Sequence, residues 1–331
     1  MWRRSFVISV LLVLVLPQLL FQIFRIFVFE DATGEASEPL NEICTTISDT
    51  SALIRVKDQD EIIHMDLDEY ITGVVLGEMP ADFELEALKS QAVAARTFVL
   101  RNVQVSGKHQ EADVCTDPSC CQAFVFSTDY TGTENDLNKV RNAVMETSGQ
   151  VITYNGNLIE AVYFSNSGGQ TENASAVWGT DVPYLQSVNS PGEEYAKNFE
   201  VTTTISYAEF LDILELPDDA CFENDDIKVT YTTGGGVNTF SLGSESYSGV
   251  RMRTLFNLRS TMFDIEIDGQ IVRITTKGYG HRVGMSQYGA EAMAVDGSKY
   301  DEILRHYYLG TELITLTGEE INAIFDKTEI I

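Results

Sequence analysis

Residues 77–103, GEMPADFELEALKSQAVAARTFVLRNV, decide how this chain folds. Pro80 fixes its own φ and pushes Met79 out of the helical region, so one segment ends here and another begins. Beyond it, Leu85, Leu88, Ala92, Ala95 and Val99 recur at helical spacing and predict a helix over 84–103 with that face in the core. Small side chains at Ala92, Ala94 and Ala95 allow close packing on it. Upstream, Asp66 and Glu69 have capping-box spacing ahead of 70–76, which predicts a second helix entering the same turn. Glu78 therefore lies between two helices, behind the apolar approach of Ile71, Val74, Val75 and Leu76. Desolvation there would raise the pKa of its carboxyl and suit a general acid working near neutral pH. The plainer alternative is a buried or capping glutamate. Arg96 is the cation expected near it, although a direct ion pair would lower the pKa and oppose the acid's role.

Working outward, 151–164 (VITYNGNLIEAVYF) carries Asn155-Gly156 between apolar runs, and 263–274 (FDIEIDGQIVRI) carries Asp268-Gly269 in the same position. Both read as β-hairpins. Between them, 195–262 mixes short β-like runs with Gly234-Gly235-Gly236 and an acidic patch, which suggests a smaller inserted subdomain. Ser298 with Asp301 opens a last predicted helix over 299–308, closed by Gly310. Segregated helices and hairpins predict an α+β fold for the folded region at 54–331. In front of it, 5–29 is apolar and long enough to span a bilayer, and Arg3 and Arg4 favour a cytoplasmic N-terminus. With no small-residue cleavage pattern after it, the expectation is an uncleaved transmembrane helix at 1–29, an acidic flexible tether at 30–53, and the remainder outside the cytoplasm.

Fifty acidic against 22 basic residues give a formal net charge of −28. That excludes nucleic acid and anionic lipid as the main partner.

His109, Cys115, Cys120 and Cys121 fall close together and include three of the five cysteines. Imidazole and thiolate ligands suit zinc, and a three-ligand set leaves a position for water. The competing reading is a disulfide, but the odd cysteine count leaves no complete pairing scheme. Near the C-terminus, 278–290 (GYGHRVGMSQYGA) brings His281, Ser286 and Gln287 into a glycine-rich turn whose backbone can approach a ligand closely, and hydrogen bonds from such groups would suit a sugar cleft. The loop 165–172 (SNSGGQTE) is a second polar segment, followed by Trp178 and Tyr184, whose rings would stack on sugars or fill the core.

Taken in order, GEMP with EALKSQAVAART, the His-Cys-Cys cluster, SNSGGQTE with VWG and PYL, and GYGHRVGMSQYGA resemble the stage II sporulation protein D family. The resemblance implies a membrane-anchored lytic transglycosylase that cuts MurNAc-GlcNAc β-1,4 bonds of peptide-stripped peptidoglycan glycan strands during engulfment in sporulation. It implies Glu78 as the catalytic acid/base, Arg96 and Tyr184 in the site, and His109, Cys115 and Cys121 as zinc ligands, with Cys120 outside the ligand set; the donor chemistry reads the zinc as structural, and the glycine-rich turn adds His281, Ser286 and Gln287 as candidate substrate-binding groups. It also implies a cell-wall amidase of the stage II sporulation protein P type and membrane-bound engulfment proteins as partners, at the septum and engulfing membrane. Two departures stand out: the family often has glycine where this chain has Arg282, and aspartate where it has Glu193. Two rival functions are a non-catalytic glycan-binding module that stimulates an amidase and a zinc hydrolase.

Overall fold

The computed structural model describes residues 52–106 and 108–326. A hairpin of β1 (Leu53–Asp58) and β2 (Glu61–Asp66) leads into the two helices around Pro80, and β3 (Val114–Cys115) later joins β1 in parallel. α1 (Leu67–Glu78) begins on Asp66, whose side chain accepts the Asp68 N–H, and ends at an extended Met79, as the following proline requires. α2 (Leu85–Ser106) is the helix read in 84–103, and Ala87, Leu88, Ala92, Ala94 and Ala95 on it are fully buried. Alanine at these positions lets other elements pack close to the α2 backbone, which makes this helix the centre of the main core. α3 (Glu134–Glu146) is capped by Thr133 and packs against both α1 and α2.

β4 (Gln150–Tyr154) and β5 (Asn157–Leu158) form the hairpin expected at Asn155-Gly156, both turn residues lying in the left-handed region at φ 50° and 76°. The second strand is much shorter than expected. β6 (Tyr163–Phe164) pairs instead, in parallel, with Met285–Ser286, and so draws the C-terminal glycine-rich turn onto the main core. α4 (Ala174–Trp178) follows and stops on left-handed Gly179.

A second core occupies the middle of the chain. β7 (Glu200–Ser206), α5 (Tyr207–Ile213), β8 (Ile227–Tyr231), β9 (Val237–Leu242), β10 (Glu245–Ser248), α6 (Gly249–Leu255), β11 (Met262–Asp268) and β12 (Ile271–Lys277) form two three-stranded sheets, ordered β10-β9-β8 and β11-β12-β7. Phe210, Phe240, Met252, Val272 and Ile274 are buried within it. β11 and β12 are the hairpin expected at Asp268-Gly269. The strands of this core run on to Lys277, beyond the 195–262 segment read as an insertion, because β12 is the central strand that β7 needs as its partner.

The chain then returns to the main core through β13 (Met285–Ser286), α7 (Gln287–Val295) and α8 (Tyr300–Tyr307). α8 opens on Lys299 rather than Ser298, with the Glu302 side chain accepting the Lys299 N–H. It is not the last helix: β14 (Glu312–Thr315) pairs with β4, and α9 (Gly318–Asp326) follows.

Among the described residues no helix is long and apolar enough to cross a membrane. This corrects the expected fold class, which placed a transmembrane helix ahead of the α+β region, and the expected single-pass membrane location with it. The stretch 1–29 and nearly all of the segment 30–53 lie outside the described residues. What is described is a mixed α and β fold with two cores.

Candidate functional site

Glu78 is the last residue of α1, and the residue before it explains how it is held. A Cβ on Gly77 would meet the Ala123 carbonyl carbon at 2.7 Å and the Phe124 nitrogen at 2.8 Å, so the 123–124 backbone crosses here only over glycine. That crossing delivers the Ala123 N–H to Glu78 Oε1 at 2.7 Å. Gln287, at the start of α7, supplies a second hydrogen bond to the carboxyl. Burial outweighs both bonds and raises the Glu78 pKa, since the hydrogen bonds favour the charged form and desolvation disfavours it. The carboxyl opens into a cleft of about 220 Å³ lined by Glu78, Phe98, Pro118, Cys121, Gln122, Val162, Tyr163 and His281. Glu78 is the one carboxylate among these lining residues.

Across the cleft, His281 is fixed by its own turn: Nδ1 accepts the Val283 N–H at 3.1 Å, and the ring sits against Phe164 and Trp178 with centroids 5.5 and 5.4 Å away. Burial pushes its pKa down to about 4, nearby Arg253 adds to the fall, and a hydrogen bond with the Tyr163 backbone opposes it. The imidazole is therefore neutral near pH 7 and acts as a hydrogen-bonding group rather than a cation. Gln122 Nε2 donates to the Tyr163 hydroxyl at 2.5 Å, and Gln122 Oε1 has no partner among the described residues.

Other residues picked out from the sequence sit elsewhere. Arg96 is fully buried, with its guanidinium on Asp68 Oδ1 at 2.8 Å and on the carbonyls of Val144, Thr147 and Gln150. Asp68 lies in the first turn of α1 and Glu78 in the last, about 15 Å apart along the helix axis, so the expected neighbour of Glu78 is committed to the opposite end. The Tyr184 hydroxyl accepts the Glu160 N–H at 3.0 Å and its ring lies against Tyr154, off the cleft lining. Ser286 is the N-cap of α7, its hydroxyl accepting the Gly289 N–H at 3.2 Å. Of the C-terminal motif, His281 lines the cleft and Gln287 reaches the Glu78 carboxyl.

Behind the cleft wall, His109, Cys115, Cys120 and Cys121 bring their ligand atoms within 4.8 Å of one another. The Asp117 carbonyl accepts both the Cys120 and Cys121 N–H groups, and this tight turn swings both consecutive thiols toward His109, at 3.7 and 3.3 Å from Nε2. The cluster can hold a metal ion. Cys120, set aside as a non-ligand by the resemblance, is a fourth donor in position, and the His-Cys-Cys-Cys set matches a closed tetrahedral site. The four described cysteines are all free thiols, which answers the disulfide alternative for Cys115, Cys120 and Cys121.

Phe98, Gln122 and Tyr163 had no role assigned from the sequence. Phe98 is hidden inside the apolar pattern of α2, and Tyr163 reaches the cleft only through the long-range β6–β13 pairing.

The family model described as Stage II sporulation protein matches residues 56–154, which contain Glu78 and the metal cluster. The chain is 36% identical over 294 residues to a protein named Stage II sporulation protein D from Bacillus subtilis (strain 168), covering 86% of this chain and 85% of the relative. A protein of the same name from Bacillus amyloliquefaciens is 37% identical over 258 residues, covering 75% and 74% of the two chains. A protein named Amidase enhancer from Bacillus subtilis (strain 168) is 30% identical over 297 residues, across 73% of this chain and 40% of its own length. With the GEMP turn, the metal cluster and the C-terminal motif converging on one region, this chain belongs to the stage II sporulation protein D family.

Proposed function

We propose that this protein is a lytic transglycosylase of peptidoglycan glycan strands, with Glu78 as its single acid/base. The observation that carries the reading is a desolvated carboxyl of raised pKa standing alone in its cleft. A hydrolytic glycosidase ordinarily needs two carboxyl groups, one to protonate the leaving oxygen and one to activate water or attack carbon. A transglycosylase needs one. The Glu78 carboxyl gives its proton to the bridging glycosidic oxygen as the bond to the anomeric carbon breaks. The 6-hydroxyl of the same muramyl residue then bonds to that carbon, and the Glu78 carboxylate takes the hydroxyl proton. No water is consumed, and the acid is restored for the next turnover.

Gln287 and the Ala123 N–H hold the carboxyl in place, Gln122 Oε1, without a partner among the described residues, is free to accept a hydrogen bond from a sugar hydroxyl, and the neutral His281 ring offers a surface for the sugar to pack on. The His109-Cys115-Cys120-Cys121 set is read as a structural zinc site. When bound, the ion would cross-link the 109–121 loop, whose Cys121 also lines the cleft.

Mass spectrometry of amidase-treated glycan strands incubated with the wild-type chain and with Glu78→Gln tests the reading. The expected result is 1,6-anhydro-muramyl ends from the wild type and a rate about 10²–10⁴-fold lower from the variant. Reducing-end sugars in place of anhydro ends, or unchanged activity in a folded variant, sink it. A second reading follows from the relative named Amidase enhancer: a glycan-binding module that stimulates a cell-wall amidase. It predicts retained glycan binding, no new ends with either chain, and faster peptide removal by an added amidase.

A further inference from the structure

Arg253 and Arg259 stand out by what does not meet them. In a chain with 50 acidic and 22 basic residues, exposed arginines find acids readily, as Arg273 does on Asp268 and Arg305 on Asp301. Among the described residues neither Arg253 nor Arg259 has a carboxylate partner, although both are half-buried. The Arg253 Nε donates to the Leu258 carbonyl at 3.3 Å, which leaves its terminal nitrogens unengaged. The Arg259 guanidinium lies over the Tyr279 ring, 4.0 Å from its centroid, and its buried Nε has no partner. Burying a guanidinium without an anion is costly, so two such groups that both act at Tyr279 point to an anion that arrives from outside.

Their position says which anion. The Arg259 carbonyl accepts the Gly280 N–H at 3.0 Å, between Tyr279, which Arg259 covers, and His281, which lines the Glu78 cleft. Arg253 is close enough to His281 and Tyr279 for its charge to act on both. Trp178 lies against His281 with the two rings tilted by 52° and is 45% exposed, so the surroundings of His281 offer a sugar ring an aromatic surface as well as guanidinium groups.

We propose that Arg253 and Arg259 form a carboxylate-binding subsite at the His281 end of the cleft, and that the carboxylate it takes is the lactyl group of a muramyl residue freed of its stem peptide. The proposal rests on the glycan-strand reading above. A stem peptide ties the lactyl carbonyl into a neutral amide, and its removal leaves an anion with two oxygens in the geometry a guanidinium fork accepts. The subsite thus reads by charge whether an amide-cleaving reaction has already acted on the strand. It also answers the charge of the whole molecule: a strongly acidic protein repels a polyanionic strand at long range, and unpaired arginines beside the cleft provide local attraction.

The test is a binding titration on the full chain carrying Glu78→Gln, with two probes: peptide-stripped glycan strands, and the same strands with their lactyl carboxylates converted to neutral methylamides. The parent is expected to bind the carboxylate strands about tenfold more tightly. Adding Arg253→Gln and Arg259→Gln should erase that preference while leaving affinity for the amidated strands unchanged. Arg253→Lys, which keeps the charge, should retain part of the preference. Equal binding of both strands by the parent, no binding of either, a preference that survives both substitutions, or a loss of amidated-strand binding along with it each overturns the proposal. A wild-type chain that releases no anhydro ends while the parent keeps its preference would refute the transglycosylase and leave the subsite standing.

Discussion

Arg96 and Arg282 are both fully buried, and both have their charge met. Arg96 is held by Asp68 and three backbone carbonyls. Arg282 donates to the carbonyls of Ser167 at 2.7 Å, Gln170 at 2.9 Å and Gly234 at 2.5 Å, with Glu172 Oε2 at 3.8 Å from Nη1. Glu78 in the cleft is treated differently: one backbone N–H, one glutamine amide and no cation. Where a buried charge is surrounded by counter-dipoles it stays ionised and ties elements together. Where the compensation is partial, the group is left able to trade a proton.

The arginine knots also explain the two departures from the family pattern. Position 282 is left-handed, at φ 67°, which suits the glycine often found there. Arginine accepts that strain, of order 1 kcal/mol, because its fork bonds the 165–172 loop to the second core at Gly234. Glu193, where aspartate is usual, accepts the N–H groups of Ser167 at 2.7 Å and Gly168 at 2.9 Å and the Ser190 hydroxyl at 2.7 Å, so its extra methylene reaches into the same loop.

The comparison breaks most visibly if these knots can be cut without loss. Arg282→Met leaves Glu172, only 1% exposed, without its cation, and is expected to cost about 3–5 kcal/mol in denaturant unfolding of the chain. Arg96→Met exposes Asp68, which is 27% accessible and can be taken over by water, so the expected loss is smaller, roughly 2–3 kcal/mol. Unfolding midpoints that do not move, or that move in the reverse order, would contradict the view that burial of the partner sets the cost.

The metal cluster tests the same contrast with thiolates. If Cys120 completes a closed site, Cys120→Ser should lower zinc affinity by at least about tenfold, and with it the zinc-dependent part of the stability by about 1.4 kcal/mol when free zinc is well above both dissociation constants. Metal analysis should find one zinc per chain, and chelation should lower the melting temperature. Activity lost on chelation with the melting temperature intact would instead support a catalytic ion.

Local signals carried the parts of this structure that were readable in advance. The Asp66 cap, the break at Pro80 and the apolar face of α2 each depend on residues within a few positions, and the helices and the turn at Glu78 follow from them. The Asn155-Gly156 turn was equally legible, but the strand after it was not, because 163–164 pairs with 285–286 across the whole second core. Charge type could be read for Arg96, whereas the carbonyls that claim it are set by the packing of α2 against α3 and β4. Cys120 was set aside on motif spacing, and only the turn at Asp117 shows that two consecutive thiols can face one centre.

The smallest expected effect is the most discriminating for Glu78 itself. Its folded-state pKa is raised by burial, so the stability linked to its protonated form is present below the ordinary carboxylate pKa and is lost as pH rises through the folded value. Glu78→Gln keeps the shape and an acceptor for the Ala123 N–H but cannot ionise. The variant should match the wild type at about pH 4 and become the more stable of the two by about pH 8, with wild-type activity falling as the same group loses its proton. A capping glutamate would behave in the opposite way. Its ionised form would be the stabilised one, and the variant would fall behind the wild type as pH rises. Melting curves of the two chains across this range decide between a desolvated acid and a structural cap without reference to any substrate.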